Sequence, residues 1–297
     1  DSDNDSDNDS DNDSDNDSDI ESIPRSSLSS YNSSKSDKSD KNDNNDDKSD
    51  INYKDDYIAL IKDIPLQLLF IEKLEGTLED LLDEKISEEV LISCIFQISF
   101  SLVYLQKHFS FTHNDLHINN IMYKQTESKY LYYKYNNIYY RVPTHGKIFK
   151  IIDFGRAIFT YGNKTFMNDV FSKHGEAGGQ YTCNHQIDYM KLREDKELIK
   201  PNYHFDLCRL SMTILEELNY SKYHDYKENQ ELIDFLYSMT IGENDLQIYE
   251  LEDNFDMYVS IAKHANNALP LDIIQNDIFK QFRIKKKHFP KRFSYHF

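Results

Sequence analysis

Two short stretches of this 297-residue chain carry side chains suited to phosphoryl transfer. In the first, Asp115 lies five positions before Asn120, within the run FTHNDLHINNIM. In the second, an apolar run at 149–152 leads directly into Asp153 of an Asp-Phe-Gly triplet. A carboxylate can take the proton of an acceptor hydroxyl, while an amide oxygen and a second carboxylate can hold Mg²⁺ against phosphate groups. The spacing therefore favours a phosphoryl-transfer site.

The sequence before this site predicts the helices that position it. A long core helix is expected to begin near Ser87, because apolar residues recur at spacings of three and four. These residues are Leu91, Ile95, Ile98, Leu102 and Leu105. Thr77, with Asp80 three positions later, predicts the N-terminal cap of a shorter helix. Further upstream, residues 57–61 and 66–71 read as two short strands.

The sequence after Asn120 predicts an insertion and a second group of helices. Asp153 lies 33 positions after Asn120, and the residues between them contain two strand-like runs, 130–135 and 138–142, joined by two asparagines that suit a tight hairpin turn. An apolar helix is expected to open at Phe205. Residues 228–297 read as mainly helical, with one apolar face formed by Leu232, Phe235, Leu236 and Met239.

Together these motifs resemble the catalytic core of the protein-kinase superfamily. The Asp-Leu-His loop, the hairpin before the Asp-Phe-Gly strand and the missing Ala-Pro-Glu resemble, more specifically, haspin-type atypical serine/threonine kinases, similar sequences of which occur in large DNA viruses. The resemblance covers about residues 52–215 and keeps an Asp-Phe-Gly that haspin itself lacks. It implies an α+β fold, mainly a helical C-lobe with the last two strands of the N-lobe, preceded by a disordered acidic tract.

The resemblance also implies roles for individual residues. Asp115 matches the catalytic base, while Asn120 and Asp153 match the Mg²⁺ ligands. The backbone from Glu72 to Leu74 matches the hinge that meets the adenine of ATP.

Three further positions follow from the same match. Ile71 matches the gatekeeper, and Asp206 matches a buried helix aspartate that hydrogen-bonds the catalytic-loop backbone. Asn114 stands where the family has the arginine that captures a phosphorylated activation loop, and His117 stands where many members have a lysine.

The N-terminal part departs from the family. The first glycine is Gly76, so no glycine-rich loop precedes the hinge, and Lys62 is too close to the next strand to be the phosphate-pairing lysine. The chain also lacks an initial Met. We expect an incomplete, inactive portion of a kinase: a disordered tract at 1–50, a remnant of the N-lobe and hinge at 51–74, and the C-lobe at 75–297.

Composition limits the cellular setting and the partners. The formal net charge is −18, and residues 1–50, with 17 acidic and 5 basic side chains, leave only −6 for the rest. Such a tract cannot form a core and is expected to be disordered. Three cysteines and no apparent signal segment or membrane-spanning run predict an intracellular protein without a membrane partner. A protein substrate and a nucleotide are the expected partners, and a nucleic acid is disfavoured.

Several alternatives remain open at this level. The catalytic loop also resembles that of aminoglycoside- and choline-type small-molecule kinases, and the missing N-lobe motifs would suit a pseudokinase that only binds. The basic stretch 280–292 could contact nucleic acid, although a solvated helix end explains it more simply. A zinc site would use Cys183, His185, His204 and Cys208.

Overall fold

The computed structural model describes residues 68–162, 164–172, 174–181, 199–220, 230–250, 255–290 and 295–296. The chain divides after Ile71 into two units, and only residues 68–71 of the first are described. The second unit combines helices with small, mainly antiparallel sheets, which confirms the α+β class. The acidic tract at 1–50 and the strand expected at 57–61 lie outside the described residues, and the division into lobes stays a prediction.

The first regular elements are strand β1 (Gly76–Thr77) and helix α1 (Leu78–Asp83). The predicted cap is confirmed: Thr77 Oγ1 accepts from the Asp80 N–H, and the Asp80 carboxylate accepts from the Thr77 N–H. The strand expected at 66–71 is wrong for its described part. Residues 68–71 form no strand, since none of the described strands pairs with them.

Helix α2 (Glu88–Phe109) is the core of the second unit. The predicted apolar face is confirmed, with Leu91, Ile95, Ile98 and Leu102 buried and Leu105 packed against the core. By length and composition α2 could cross a bilayer, so the prediction of no sufficiently long apolar run was wrong. However, 67% of its most apolar window is buried inside the protein, as expected for a core helix.

A three-stranded antiparallel sheet carries the two sequence motifs. Strands β2 (Ile121–Gln125) and β5 (Lys147–Ile151) pair with Ile121 opposite Ile151, and β1 lies on the other side of β2. This register puts Asn120 and Ile152 side by side just beyond the last pair. The Ile152 N–H donates to the Asn120 carbonyl at 3.0 Å. The residue before Asp153 is thus fixed to the candidate metal ligand Asn120.

The insertion forms the predicted hairpin, from strands β3 (Tyr130–Tyr135) and β4 (Ile138–Pro143). Asn136 takes a left-handed φ of 50°, which asparagine tolerates in a tight turn. The hairpin packs on α2 through rings around the fully buried Phe96, including Tyr133 and Tyr140 at centroid distances of 5.5 and 4.9 Å. The insertion therefore belongs to the core.

The downstream part begins with a small hairpin, β6 (Phe159–Tyr161) and β7 (Lys164–Phe166), which the sequence pattern did not predict. Four helices follow among the described residues: α3 (Phe205–Tyr220), α4 (Gln230–Thr240), α5 (Phe255–His264) and α6 (Pro270–Ile273). The predicted apolar face at 232–239 is confirmed, because all four of its residues are buried in α4.

The expectation of a mainly helical segment up to residue 297 is only partly right. After α6 the described chain forms 3₁₀ turns and the short strands β8 (Arg283–Ile284) and β9 (Tyr295–His296). These strands pair with the two edges of the β3–β4 hairpin, which otherwise offer unpaired backbone groups. Tertiary pairing therefore decides the structure of this segment.

Candidate active site

Asp206, in the first turn of α3, holds the backbone of the candidate catalytic loop. Its fully buried carboxylate accepts from the His113 N–H at 2.9 Å and from the Asn114 N–H at 2.9 Å. Burial raises the pKa of Asp206, whereas the charge of His113 and the two N–H donors act in the opposite direction. These contacts are the ones expected from the resemblance, and they fix the chain one residue before Asp115.

Asn114 fixes the loop from its other side. It has a left-handed φ of 63°, and its Nδ2 donates to the Thr112 hydroxyl at 3.1 Å and to the Arg156 carbonyl at 2.9 Å. Its Oδ1 accepts from the Tyr181 hydroxyl. Where the family's arginine would bind a phosphate group, this chain thus has a neutral, buried amide joined to the segment after Asp153.

The carboxylate of Asp115 is partly shielded from solvent by Arg156 and Tyr258. The side chain is 20% exposed, and its Oδ2 lies 3.6 Å from the Nε of Arg156. Its Oδ1 accepts a hydrogen bond of 2.9 Å from the hydroxyl of Tyr258, which lies on α5. The candidate base is therefore oriented by side chains from two distant segments.

Asn120 is buried and oriented by its amide nitrogen. Nδ2 donates to the Asp115 carbonyl at 2.9 Å and lies 3.0 Å from His117 Nε2. Burial lowers the pKa of His117, so its ring is neutral at pH 7 and Nε2 can accept this bond. His117 also lies near enough to Asp115 and Asp153 to feel both charges. His117 therefore contacts Asn120 directly and interacts electrostatically with both carboxylates.

Asp153 is exposed and adopts a left-handed conformation, with φ 59° and ψ 74°. Its Oδ1 accepts from the Gly155 N–H at 3.3 Å, and His113 Nε2 donates to the carbonyl of the preceding Ile152 at 2.8 Å. Just beyond, Thr112 and Ile158 exchange two backbone hydrogen bonds of 2.9 Å. The Asp-Phe-Gly turn is therefore held to the catalytic loop at both ends.

The residues present fit a magnesium ion. Because the Asp115 carbonyl can only accept, it must face Asn120 Nδ2, and Oδ1 is left without a hydrogen-bond partner among the described residues. Asp153 likewise offers an exposed carboxylate oxygen. The described part of the chain has no group of three or more His, Cys, Asp or Glu residues that could hold a metal. Mg²⁺ bound by Asn120 and Asp153 would complete its shell with phosphate oxygens and water, as it commonly does.

The predicted hinge residues lie at the start of the second unit. The Glu72 carboxylate binds Lys124 of β2 and, at 2.6 Å, Lys150 of β5. These hydrogen bonds hold the pKa of the exposed Glu72 down to about 2. Leu74 is half-buried, and the next residue, Glu75, donates its N–H to the Tyr123 carbonyl at 2.9 Å. The segment is thus tied to the sheet that leads to Asp153, while its contact with adenine stays a prediction.

Sequence reasoning missed three residues of the site: Tyr258, Arg156 and Tyr181. Tyr258 is 143 positions from Asp115, and no local spacing indicates such a contact. The position of Arg156 directly after the Asp-Phe-Gly triplet was the one available signal.

The alternative zinc site is only half described. Cys183 and His185 lie outside the described residues. His204 accepts the Ala268 N–H at Nδ1, and Cys208 is fully buried as a free thiol. In the described part, neither side chain belongs to a metal-binding cluster.

Comparison with known proteins finds a distant similarity to a viral protein that is named as a kinase. No family model matches the chain. A protein of Acanthamoeba polyphaga mimivirus, named "Putative serine/threonine-protein kinase", is 28% identical over 208 residues. The match covers 65% of this chain and 47% of that protein, so the chain spans about half the length of this relative. The similarity supports the protein-kinase superfamily.

Proposed function

We propose that this protein is an ATP- and Mg²⁺-dependent kinase that phosphorylates a serine or threonine hydroxyl of a protein. The observation that carries the proposal is that hydrogen bonds hold Asp115, Asn120 and the residue before Asp153 to one another. The Asn120 amide donates to the Asp115 carbonyl, and the Asn120 carbonyl accepts from the N–H of Ile152, which directly precedes Asp153. The sequence similarity to the mimivirus protein, whose name describes a serine/threonine-protein kinase, agrees with this reaction class.

Each residue then has a role in the transfer. Asp115 receives the proton of the acceptor hydroxyl as its oxygen forms a bond to the γ-phosphorus, and the bond to ADP breaks. Asn120 and Asp153 would hold Mg²⁺, which neutralises charge on the phosphate oxygens. The backbone from Glu72 to Leu74 would bind the adenine edge.

The proposal includes a haspin-like subtype and an intracellular location. The hairpin at 130–143 favours a protein kinase over a small-molecule kinase, because it is a built part of the core next to α2 and resembles the haspin-type insertion. A peptide library compared with a metabolite panel would separate the two acceptors. Transfer to a metabolite alone would contradict the protein-kinase assignment.

The test is the affinity of the protein for Mg²⁺ and a non-hydrolysable ATP analogue, measured by calorimetry on wild type and Asp153→Asn. We expect the variant to bind at least about tenfold more weakly, the scale of one lost charge-assisted contact. Asp169→Asn, which changes an exposed aspartate 16 positions after Asp153, is the matched control and should bind as wild type does. Equal affinity of wild type and Asp153→Asn would remove Asp153 from the metal site.

A further inference from the structure

Tyr258 connects the candidate base to the rest of the fold, although it belongs to none of the motifs. It lies on α5 and is half-buried, and its hydroxyl donates to Asp115 Oδ1 at 2.9 Å. The carboxylate of a general base must lie within hydrogen-bond reach of the proton that it takes. A group that fixes the rotation of this carboxylate therefore affects the reaction without touching the substrate.

Two arginines hold the ring of Tyr258. The guanidinium of Arg156 lies 5.4 Å from the ring centroid and that of Arg209 lies 5.2 Å from it. Both distances are within the range of cation–π attraction, which grows when the cation is shielded from water. The Arg209 side chain is only 8% exposed, and Arg156 also faces Asp115 Oδ2. The two guanidinium groups therefore restrict the position of the Tyr258 ring, and with it the position of the hydroxyl that binds Asp115.

Helix α3 supports both parts of the catalytic loop from one turn. Asp206 and Arg209 are three positions apart and so lie on the same face of the helix. Asp206 binds the loop backbone, and Arg209 contacts the tyrosine that binds the loop's carboxylate. Helix α3 thus positions the loop backbone directly through Asp206, and the Asp115 side chain indirectly through Arg209 and Tyr258.

We propose that Tyr258 is a positioning residue that orients the Asp115 carboxylate for proton transfer. This inference rests on the proposed function, in which Asp115 is the base. Misplacement of a reacting group by about 1 Å can cost about 10²-fold in rate. The loss of the Tyr258 hydroxyl should therefore lower turnover and leave nucleotide binding unchanged, because among the described residues this hydroxyl is hydrogen-bonded to Asp115 and not to Asn120 or Asp153.

The test is a double-mutant cycle in the full-length protein, with Tyr258→Phe made in wild type and in Asp115→Ala. In wild type we expect kcat for transfer to a serine peptide to fall about tenfold, with unchanged KM for ATP and an unchanged unfolding midpoint. In Asp115→Ala the second substitution should have no further effect, since no carboxylate remains to be oriented. Tyr237→Phe, on the exposed side of α4, is the matched control and should retain wild-type kcat.

Three results would overturn the inference. An equal loss from Tyr258→Phe in both backgrounds would show that the hydroxyl does not act through Asp115. Unchanged kcat would show that the bond has no catalytic role, and increased kcat would show that the tyrosine blocks the acceptor. Failure of the proposed function looks different: in a protein that includes an N-lobe, Asp115→Ala would then leave transfer intact, or wild type would transfer nothing.

Discussion

Backbone atoms fix most of the candidate catalytic residues. Asp206 accepts from two loop N–H groups, and Asn120 donates to the carbonyl of Asp115. In the described part of the chain, the Asp115 carboxylate contacts Tyr258 and Arg156, Asp153 Oδ1 accepts from the Gly155 N–H, and Asn120 Oδ1 has no hydrogen-bond partner. A short motif can therefore specify the candidate site, because the same few residues supply its functional groups and stabilise the conformation of the loop.

A residue-scale prediction concerns His204, which precedes α3. Its Nδ1 accepts from the Ala268 N–H at 3.1 Å, and burial lowers the pKa of His204. The unfolded chain therefore takes up a proton at higher pH than the folded protein does. The stability that His204 contributes is present above the unfolded pKa of about 6.5 and is lost as the pH falls through the lower, folded pKa.

We therefore expect His204→Gln to weaken the pH dependence of unfolding. The free energy of unfolding, from urea titrations at about pH 7.5 and about pH 5.5, should fall less in His204→Gln than in wild type. His288→Gln, which changes an exposed histidine, should keep the wild-type difference. The same difference in all three proteins would contradict the account.

The candidate reactive residues could be proposed from the sequence because their spacing is local. Asp115 and Asn120 share one loop, and Asp153 follows a strand that had to pair near Asn120. Asp206 was predictable only through the family resemblance. Tyr258 and Arg209 could not be predicted, since their contacts depend on how α3 and α5 pack.

At the scale of secondary-structure elements, an aromatic cluster between α2 and the β3–β4 hairpin stabilises the insertion. Phe96 is fully buried and has ring neighbours in both hairpin strands and in the C-terminal 3₁₀ turn, with Phe279 at 5.2 Å and Phe282 at 5.5 Å. The hairpin was predictable from its alternating pattern and asparagine turn. Its packing partners were not predictable. A two-residue period indicates that one face of a strand is buried, but it does not indicate which element covers that face.

We expect Phe96→Ala to lower the free energy of unfolding by about 3–5 kcal/mol, the cost of removing a fully buried aromatic ring. Phe96→Leu should cost less, because it keeps much of the buried volume. Urea denaturation followed by circular dichroism measures both. Phe166→Ala, at a position 43% exposed, is the control and should cost clearly less than Phe96→Ala. Similar losses for Phe96→Ala and Phe166→Ala would mean that the cluster is not part of the core.

At the scale of the whole molecule, the candidate site is where distant segments meet. The contacts that hold the catalytic loop join residues 92 positions apart at Asn114 and Asp206, and 143 positions apart at Asp115 and Tyr258. In the proposed reaction the loop supplies the reacting groups, and helices α3 and α5 hold the loop in place. The roles of the acidic tract at 1–50 and of the N-terminal motifs stay predictions, because these residues lie outside the described chain.

The most direct test of the central claim is phosphoryl transfer from γ-labelled ATP to a serine/threonine peptide library, measured with an N-lobe present, by the full-length protein and its Asp115→Asn variant. The claim predicts a loss of at least about 10²-fold in kcat, the scale of removing a general base, with Mg²⁺–ATP affinity retained. Asp272→Asn, which changes an exposed aspartate on α6, should transfer phosphate as wild type does. Near-normal turnover by Asp115→Asn would contradict the claim that this loop is the catalytic centre.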